Sequence, residues 1–213
     1  MKRGNQMTRT RSIAPRLLTL AAAALLATLS GAEGVNAQLP LSEPYVALFG
    51  GQARTNFVQG PTTQDLDWRN SWAVEVGFKL FGLTVSPGYM KVGRATWTNE
   101  AGTETFAMDF DAIYLNLGAR EEMGLYFAGG LNWTFWNALP RNDLGITQRA
   151  DSEIGFQAFL GFNVGLRGLP LKFMFEAGYA QFSGNISTET TDFGLRELSS
   201  TGPLVRAGIA LGW

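Results

Sequence analysis

The 213-residue sequence contains no cysteine and no histidine. Without cysteine there is no disulfide to staple an extracellular fold, and no thiolate to act as metal ligand or nucleophile. The missing histidine excludes more: the usual general base, the commonest zinc ligand and any serine–histidine dyad. Also lacking, beyond the N-terminal region, are a sustained helical repeat and any apolar run long enough for a transmembrane helix.

The N-terminus has what the rest lacks. Lys2, Arg3, Arg9, Arg11 and Arg16 precede the apolar run "LLTLAAAALLATLSGA", and Val35 and Ala37 supply the small residues of a cleavage site. Residues 1–37 therefore read as a secretory signal peptide, with cleavage after Ala37 and Ala32 as second choice. A membrane-spanning helix fits poorly, because the unbroken apolar core from Leu17 to Thr28 falls well short of the roughly 20 residues a span needs. Residues 38–213 remain as one domain of 176 residues. The leader takes five of the 17 Lys and Arg and one of the 18 Asp and Glu, leaving 12 against 17. The net charge is then near −5, and nothing basic is clustered, so nucleic acid is not an expected partner. Charged residues make up 29 of the 176, against roughly a quarter in soluble domains. That deficit needs a solvent other than water.

What recurs along the mature chain is alternation, the mark of strands. "SWAVEVGFKL" puts Trp72, Val74, Val76, Phe78 and Leu80 on one face and Ala73, Glu75, Gly77 and Lys79 on the other. A two-residue turn, Phe81-Gly82, carries the apolar face on through Leu83, Val85, Pro87 and Tyr89, opposite Thr84, Ser86, Gly88, Met90, Val92 and Arg94. "LYFAGGLNWTFW", "IGFQAFLGFNV" and "LKFMFEAGYA" repeat the pattern, and "VRAGIALGW" closes the chain with Val205, Ala207, Ile209, Leu211 and Trp213 opposite Arg206, Gly208, Ala210 and Gly212. Two segments are less tidy. In "YVALFGGQA" neither parity is clearly apolar. In "FAMDFDAIYLNL" the odd face carries Asp109 and Asp111 and then turns apolar at Ile113, which calls for a bulge.

The count is eight strands, and their connections alternate. Those after the second, fourth and sixth strands are short. The others, such as "RTNFVQGPTTQDLDWRN" and "SGNISTETTDFGLRELSST", are long and polar. That is the asymmetry of an up-and-down antiparallel barrel with short turns at one end and long loops at the other. A soluble, lipocalin-like barrel would turn the apolar face inward around a ligand, but its exterior would then be Gly, Ala, Ser and Thr rather than the charged surface water favours. Turned inside out, the small residues fill a narrow lumen and the aromatic and branched ones meet lipid. Trp72, Tyr89, Trp97, Tyr114, Phe127, Trp133, Phe173, Tyr179 and Trp213 are then expected at the lipid interfaces. Glu75, Lys79, Arg94, Asp109, Asp111, Lys172, Glu176 and Arg206 become a lumen charge network, with Glu176 and Arg206 paired across adjacent strands and Arg94 facing the two aspartates.

On these features the sequence resembles the eight-stranded bacterial outer-membrane β-barrels, the OmpA-like, OmpX-like and opacity-protein-like family. The last strand is similar to that family's assembly signal at Arg206, Gly208, Leu211 and Trp213. The resemblance implies a monomer in the cell outer membrane, among lipid and lipopolysaccharide, inserted by the barrel-assembly machinery. It implies a structural or surface-interaction role, with the outer loops open to a surface or host ligand. A terminal Trp departs from the commoner Phe, and no peptidoglycan-binding domain follows. An alternative within the same architecture is a narrow OmpW-like conduit, for which the lumen-facing glycines Gly77, Gly130, Gly155, Gly161 and Gly178 would leave room.

Catalytic chemistry finds no support. Enzymes among outer-membrane barrels resemble families that use a histidine, absent here, so the chain reads as no enzyme, with no cofactor. Asp65/Asp67 and Asp109/Asp111 lack the full calcium-loop pattern, so no metal is expected. Asn185-Ile186-Ser187 matches an N-glycosylation pattern by chance in a bacterial setting. The protein is expected to fractionate with membranes, to require detergent, and to give an unheated gel band that migrates differently from its boiled band. Recovery in a detergent-free soluble periplasmic fraction would refute the membrane reading.

Overall fold

Nine strands, and no helix among the described residues, make up the computed structural model, which describes residues 42–59, 62–98, 104–120, 124–140, 148–166, 168–188 and 197–212. They are β1 (Ser42–Gln59), β2 (Thr62–Leu80), β3 (Leu83–Thr98), β4 (Glu104–Ala119), β5 (Gly124–Pro140), β6 (Gln148–Ser152), β7 (Ile154–Gly165), β8 (Leu171–Thr188) and β9 (Glu197–Gly212). The expected signal peptide and its cleavage site lie outside the described residues, as does Trp213.

Each strand pairs antiparallel with its neighbours. β1 returns to β9 from Tyr45↔Gly212 to Phe57↔Ser200, which closes the sheet on itself. β6 and β7 act as one barrel strand interrupted at Glu153. Both pair with β8, but the register slips by one residue between Ser152↔Gly184 and Phe156↔Gln181, the signature of a bulge. The barrel is therefore eight-stranded. Along the body of the barrel, closure removes the exposed edges that an open sheet would present.

The expected two-residue turn is present, with Leu80 paired to Leu83 and positive φ at both Phe81 (51°) and Gly82 (82°). Two left-handed residues in succession define the turn whose twist matches a hairpin.

Two expectations need correction. The first long polar connection is largely strand: β1 and β2 stay paired out to Gln59↔Thr62, within residues read as loop. An antiparallel ladder, once started, keeps satisfying backbone groups whatever its side chains, so the arms run on as polar hairpins. The bulge foreseen in the fourth strand is not there. β4 pairs with β5 without a break from Phe106↔Pro140 to Ala119↔Phe127, and the irregularity falls in β3 instead, between Val92 and Ala95. Asp109 and Asp111 therefore share the face of Ile113, Leu115 and Leu117. That face is the exterior.

Inside and outside are unambiguous: on β5, Leu131 is 60% exposed and the next residue, Asn132, 2%. The exposed set includes Leu48, Leu115, Leu125, Phe127, Trp133, Phe156, Leu160, Phe162, Phe175 and Ile209, all on outward parities. The inward-ligand, lipocalin-like alternative is thereby excluded, because the apolar face points out. Such a belt suits hydrocarbon and not water. Among the expected interfacial aromatics, Trp72 and Tyr89 lie together outside (5.4 Å between rings), but Tyr114 is buried within. It sits on the even parity of β4, opposite the apolar one.

Val76→Arg and Leu160→Arg are expected to cost up to about 2–4 kcal/mol each if they lie near the bilayer midplane. Gln157→Thr, on the inward face, should cost less. Urea unfolding in lipid vesicles reads the difference, and equal losses at all three positions would invert the assignment of faces.

Candidate functional site: a buried charge ring in the lumen

Successive inward positions are two residues apart, so each strand delivers one side chain per rung to a narrow interior. β2 delivers Glu75, β8 Glu176 and β9 Arg206, while Arg120 follows directly on the end of β4 and keeps its inward parity. The four meet in a closed ring. Arg120 Nη1 lies 2.9 Å from Glu75 Oε1 and its Nη2 lies 2.8 Å from Glu176 Oε1. Arg206 Nη2 lies 3.3 Å from Glu75 Oε2, and its Nε bonds Glu176 Oε2. Each guanidinium bridges both carboxylates, and each carboxylate oxygen takes one guanidinium. Two charges of each sign cancel.

Burial makes this arrangement consequential. Both carboxylate side chains have no exposed surface, and an unpaired charge there would cost several kcal/mol. Tyrosines complete the shell: Tyr45 donates to Glu75 Oε1 at 2.7 Å, Tyr114 to Glu75 Oε2 at 3.3 Å, and Tyr126 to Glu176 Oε1. Arg120 also donates to the Tyr45 hydroxyl and Arg206 to that of Tyr114. The Arg206 guanidinium lies over Phe49 (4.3 Å) and Phe159 (4.6 Å), and Arg120 lies over Tyr126 (4.4 Å), contacts in which an aromatic face attracts a cation.

The lumen glycines lie against neighbouring groups. A Cβ on Gly77 would strike the Tyr45 ring, and one on Gly161 the Tyr126 ring, so the backbone there is bare to let a ring lie against it. Beyond the ion ring, toward the long arms, Gln157 Nε2 donates to Asn116 Oδ1 at 2.7 Å, and Asn132 Nδ2 to the Gln181 carbonyl at 3.0 Å. Phe110 then lies between Trp136 (4.7 Å) and Phe182 (4.6 Å), its ring tilted against both, and the Trp136 indole donates to the Ser183 carbonyl at 3.1 Å. The interior is filled in layers: ions, amides, aromatics.

Of the eight charges expected in the lumen, Glu75, Glu176 and Arg206 meet there, and Glu176 and Arg206 are direct cross-strand partners. Lys79 pairs instead with Glu43 at 2.7 Å near the short-turn end. Lys172, partly exposed at the start of β8, makes no ion pair with another described residue. Arg94 is exposed and does not meet Asp109 or Asp111, which face Lys91 on the exterior at 3.8 and 3.7 Å. The unbroken parity of β4 is the reason. Arg120 is absent from the charges expected in the lumen, although continuing the parity Tyr114, Asn116, Gly118 leads to it. Of the assembly-signal residues, Arg206 is in the ring, Gly208 lies under Phe49, and Leu211 is exterior. Among the described residues, no cluster of three or more His, Cys, Asp or Glu is placed to hold a metal.

No protein-family model matches the chain, and no curated protein matches its sequence. Solved structures do match. The outer membrane protein OprG from Pseudomonas aeruginosa aligns with a TM-score of 0.54 at 13% identity, over 81% of this chain and 97% of that one. Neisserial surface protein A aligns at 0.50 and 13% identity, over 79% and 96%. At such identity the likeness is one of fold. The chain has the fold of the eight-stranded outer-membrane β-barrels of Gram-negative bacteria.

Glu176→Ala strands Arg206 and is expected to cost about 3–5 kcal/mol. The double change with Arg206→Ala should cost less than the sum of the single changes. Urea unfolding of the three variants closes the cycle, and additive losses would show that the pair is not coupled.

Proposed function

We propose that this chain is a monomeric, non-enzymatic resident of the outer membrane, with a plugged barrel as anchor and its outer arms as the working part, in a structural or surface-interaction role. One observation carries the reading: the charge-balanced ring of Glu75, Arg120, Glu176 and Arg206, buried and enclosed by tyrosine and phenylalanine rings. A conduit needs a continuous polar or apolar path. Among the described residues, the inward side chains of the ion ring and of the Gln157–Asn116 level bond one another across the interior, which supports a plug. The ring also offers no catalysis, since each carboxylate oxygen is already engaged by a guanidinium and the chain has no histidine to act as base.

The apolar exterior supports contact with outer-membrane lipid and lipopolysaccharide, and insertion by the barrel-assembly machinery is part of the same reading. Work at the cell surface falls to the arms, which extend beyond the apolar belt on every strand. In planar bilayers the wild-type barrel should give little or no steady conductance, and Glu176→Ala should add transient openings. Large, stable wild-type channels would replace this reading with the conduit.

A further inference from the structure

Not every side-chain amide inside the barrel completes its hydrogen bonds. Asn132 engages both ends: its Nδ2 donates to the Gln181 carbonyl at 3.0 Å, and its Oδ1 accepts from the Thr134 hydroxyl at 3.1 Å. Asn116 and Gln157 do not. They stand on either side of Gly130, Asn116 paired with it from β4 and Gln157 from β7. A Cβ on Gly130 would lie 2.5 Å from Asn116 Oδ1, so a bare backbone there lets the two side chains meet across the intervening strand. They share one bond, from Gln157 Nε2 to Asn116 Oδ1 at 2.7 Å. That leaves Asn116 Nδ2 and Gln157 Oε1, a donor and an acceptor, with no hydrogen-bond partner among the described residues. Exchanging oxygen and nitrogen in both amides changes nothing, since one donor and one acceptor are again left over. Asn116 is 0% exposed and Gln157 2%, so bulk water does not serve them.

Buried polar groups that lack a protein partner are met by ordered water. We propose that Asn116 and Gln157 hold a single internal water molecule, which accepts from Asn116 Nδ2 and donates to Gln157 Oε1. The two atoms select the ligand. It must accept and donate at once, whereas a metal cation would meet only the acceptor, an ammonium ion would have nothing to accept with, and a simple anion would meet only the donor. Ser86 offers the water's second proton an acceptor. It is the ladder partner of Asn116 on β3, is 2% exposed, and shares a hydrogen bond with the Tyr45 hydroxyl at 3.1 Å that leaves its oxygen with acceptor capacity. Three bonds are the usual complement of a buried water. Through Ser86 and Tyr45, which donates to Glu75, the water joins the amide pair to the ion ring. The proposal rests on the plugged-barrel reading for the water's confinement, since a plugged lumen offers it no file of waters to join.

Crystals of the mature barrel that diffract finely enough to place individual waters test the site. Density for one water within hydrogen-bond distance of both Asn116 Nδ2 and Gln157 Oε1, with no other water in reach of it, is the expected result. Absence of that density, amides turned to bond other side chains, or a file of waters running from the site to bulk would each overturn the proposal. The double change Asn116→Leu with Gln157→Leu removes both atoms and should lose the water, with a heat-modifiable gel band to show that the barrel has formed. Gln157→Met removes the acceptor alone, should lose the water too, and serves where the double variant does not fold. Density that persists in either folded variant would overturn the assignment to these two residues. Conductance reads the plug separately: a conducting wild type removes the plugged-barrel reading, and a non-conducting one without the water removes only the site.

Discussion

A charge that cannot reach water must find an opposite charge, and in this barrel that constraint organises the interior. Glu75 and Glu176 have no exposed side-chain surface, and between them they engage every charged hydrogen-bond arm of Arg120 and Arg206 that the ring uses. The four residues come from β2, β8, β9 and the end of β4, so the ring ties together strands on different sides of the wall. A slip of one residue in any of those strands would turn its charged residue toward the exterior. A buried ion cluster of this kind is not a source of stability compared with a well-packed apolar core, because desolvation consumes most of the Coulomb gain. What it provides is a steep penalty for wrong register. We regard it as the element that selects one barrel from neighbouring ones.

The tyrosines and glycines follow from the same constraint. Guanidiniums and carboxylates in a ring leave donors and acceptors at its rim, and Tyr45, Tyr114 and Tyr126 meet them while presenting apolar bodies to the surrounding wall. Rings of that size fit a narrow barrel only where the facing backbone is bare, as at Gly77 and Gly161. The fill of the lumen and the placing of these glycines are therefore one feature seen from two sides.

Much of this was legible from alternation alone, because a period of two with one face apolar leaves little freedom. The eight-strand count, the turn at Phe81-Gly82, the outward sets of β2, β5, β7 and β8, and the adjacency of Glu176 and Arg206 all come from parity. The errors have physical causes. Asp109 and Asp111 were drawn inward because charges on a lipid-facing parity look costly. They lie toward the polar end of β4, where Lys91 faces them across the ladder. Tyr114 was read as an interfacial aromatic, although its parity already placed it with Asn116. Arg120 follows the two small residues Gly118 and Ala119, so the apolar alternation that marks a strand has already ended when the inward parity reaches it. The arms were read as loops because their side chains are polar on both faces, which removes the alternation while leaving the backbone ladder intact.

The register shifts between Arg54 and Asn56 in β1 and between Val92 and Ala95 in β3, and the break at Glu153, fall where the exterior of each strand gives way from apolar to polar residues; a further shift, between Ser42 and Tyr45, lies at the other end of β1. Within hydrocarbon an unpaired backbone group costs several kcal/mol, so no seam can open there. Past the belt, water satisfies those groups and the cost of parting falls to that of an ordinary exposed edge. The membrane itself thus sets the height at which the wall is free to divide. Below that height the charge ring and the continuous ladders hold one register, and above it the β1–β2 and β3–β4 arms separate without loosening the barrel that carries them. A scaffold fixed by buried charge and a crown released by hydration are consequences of one boundary.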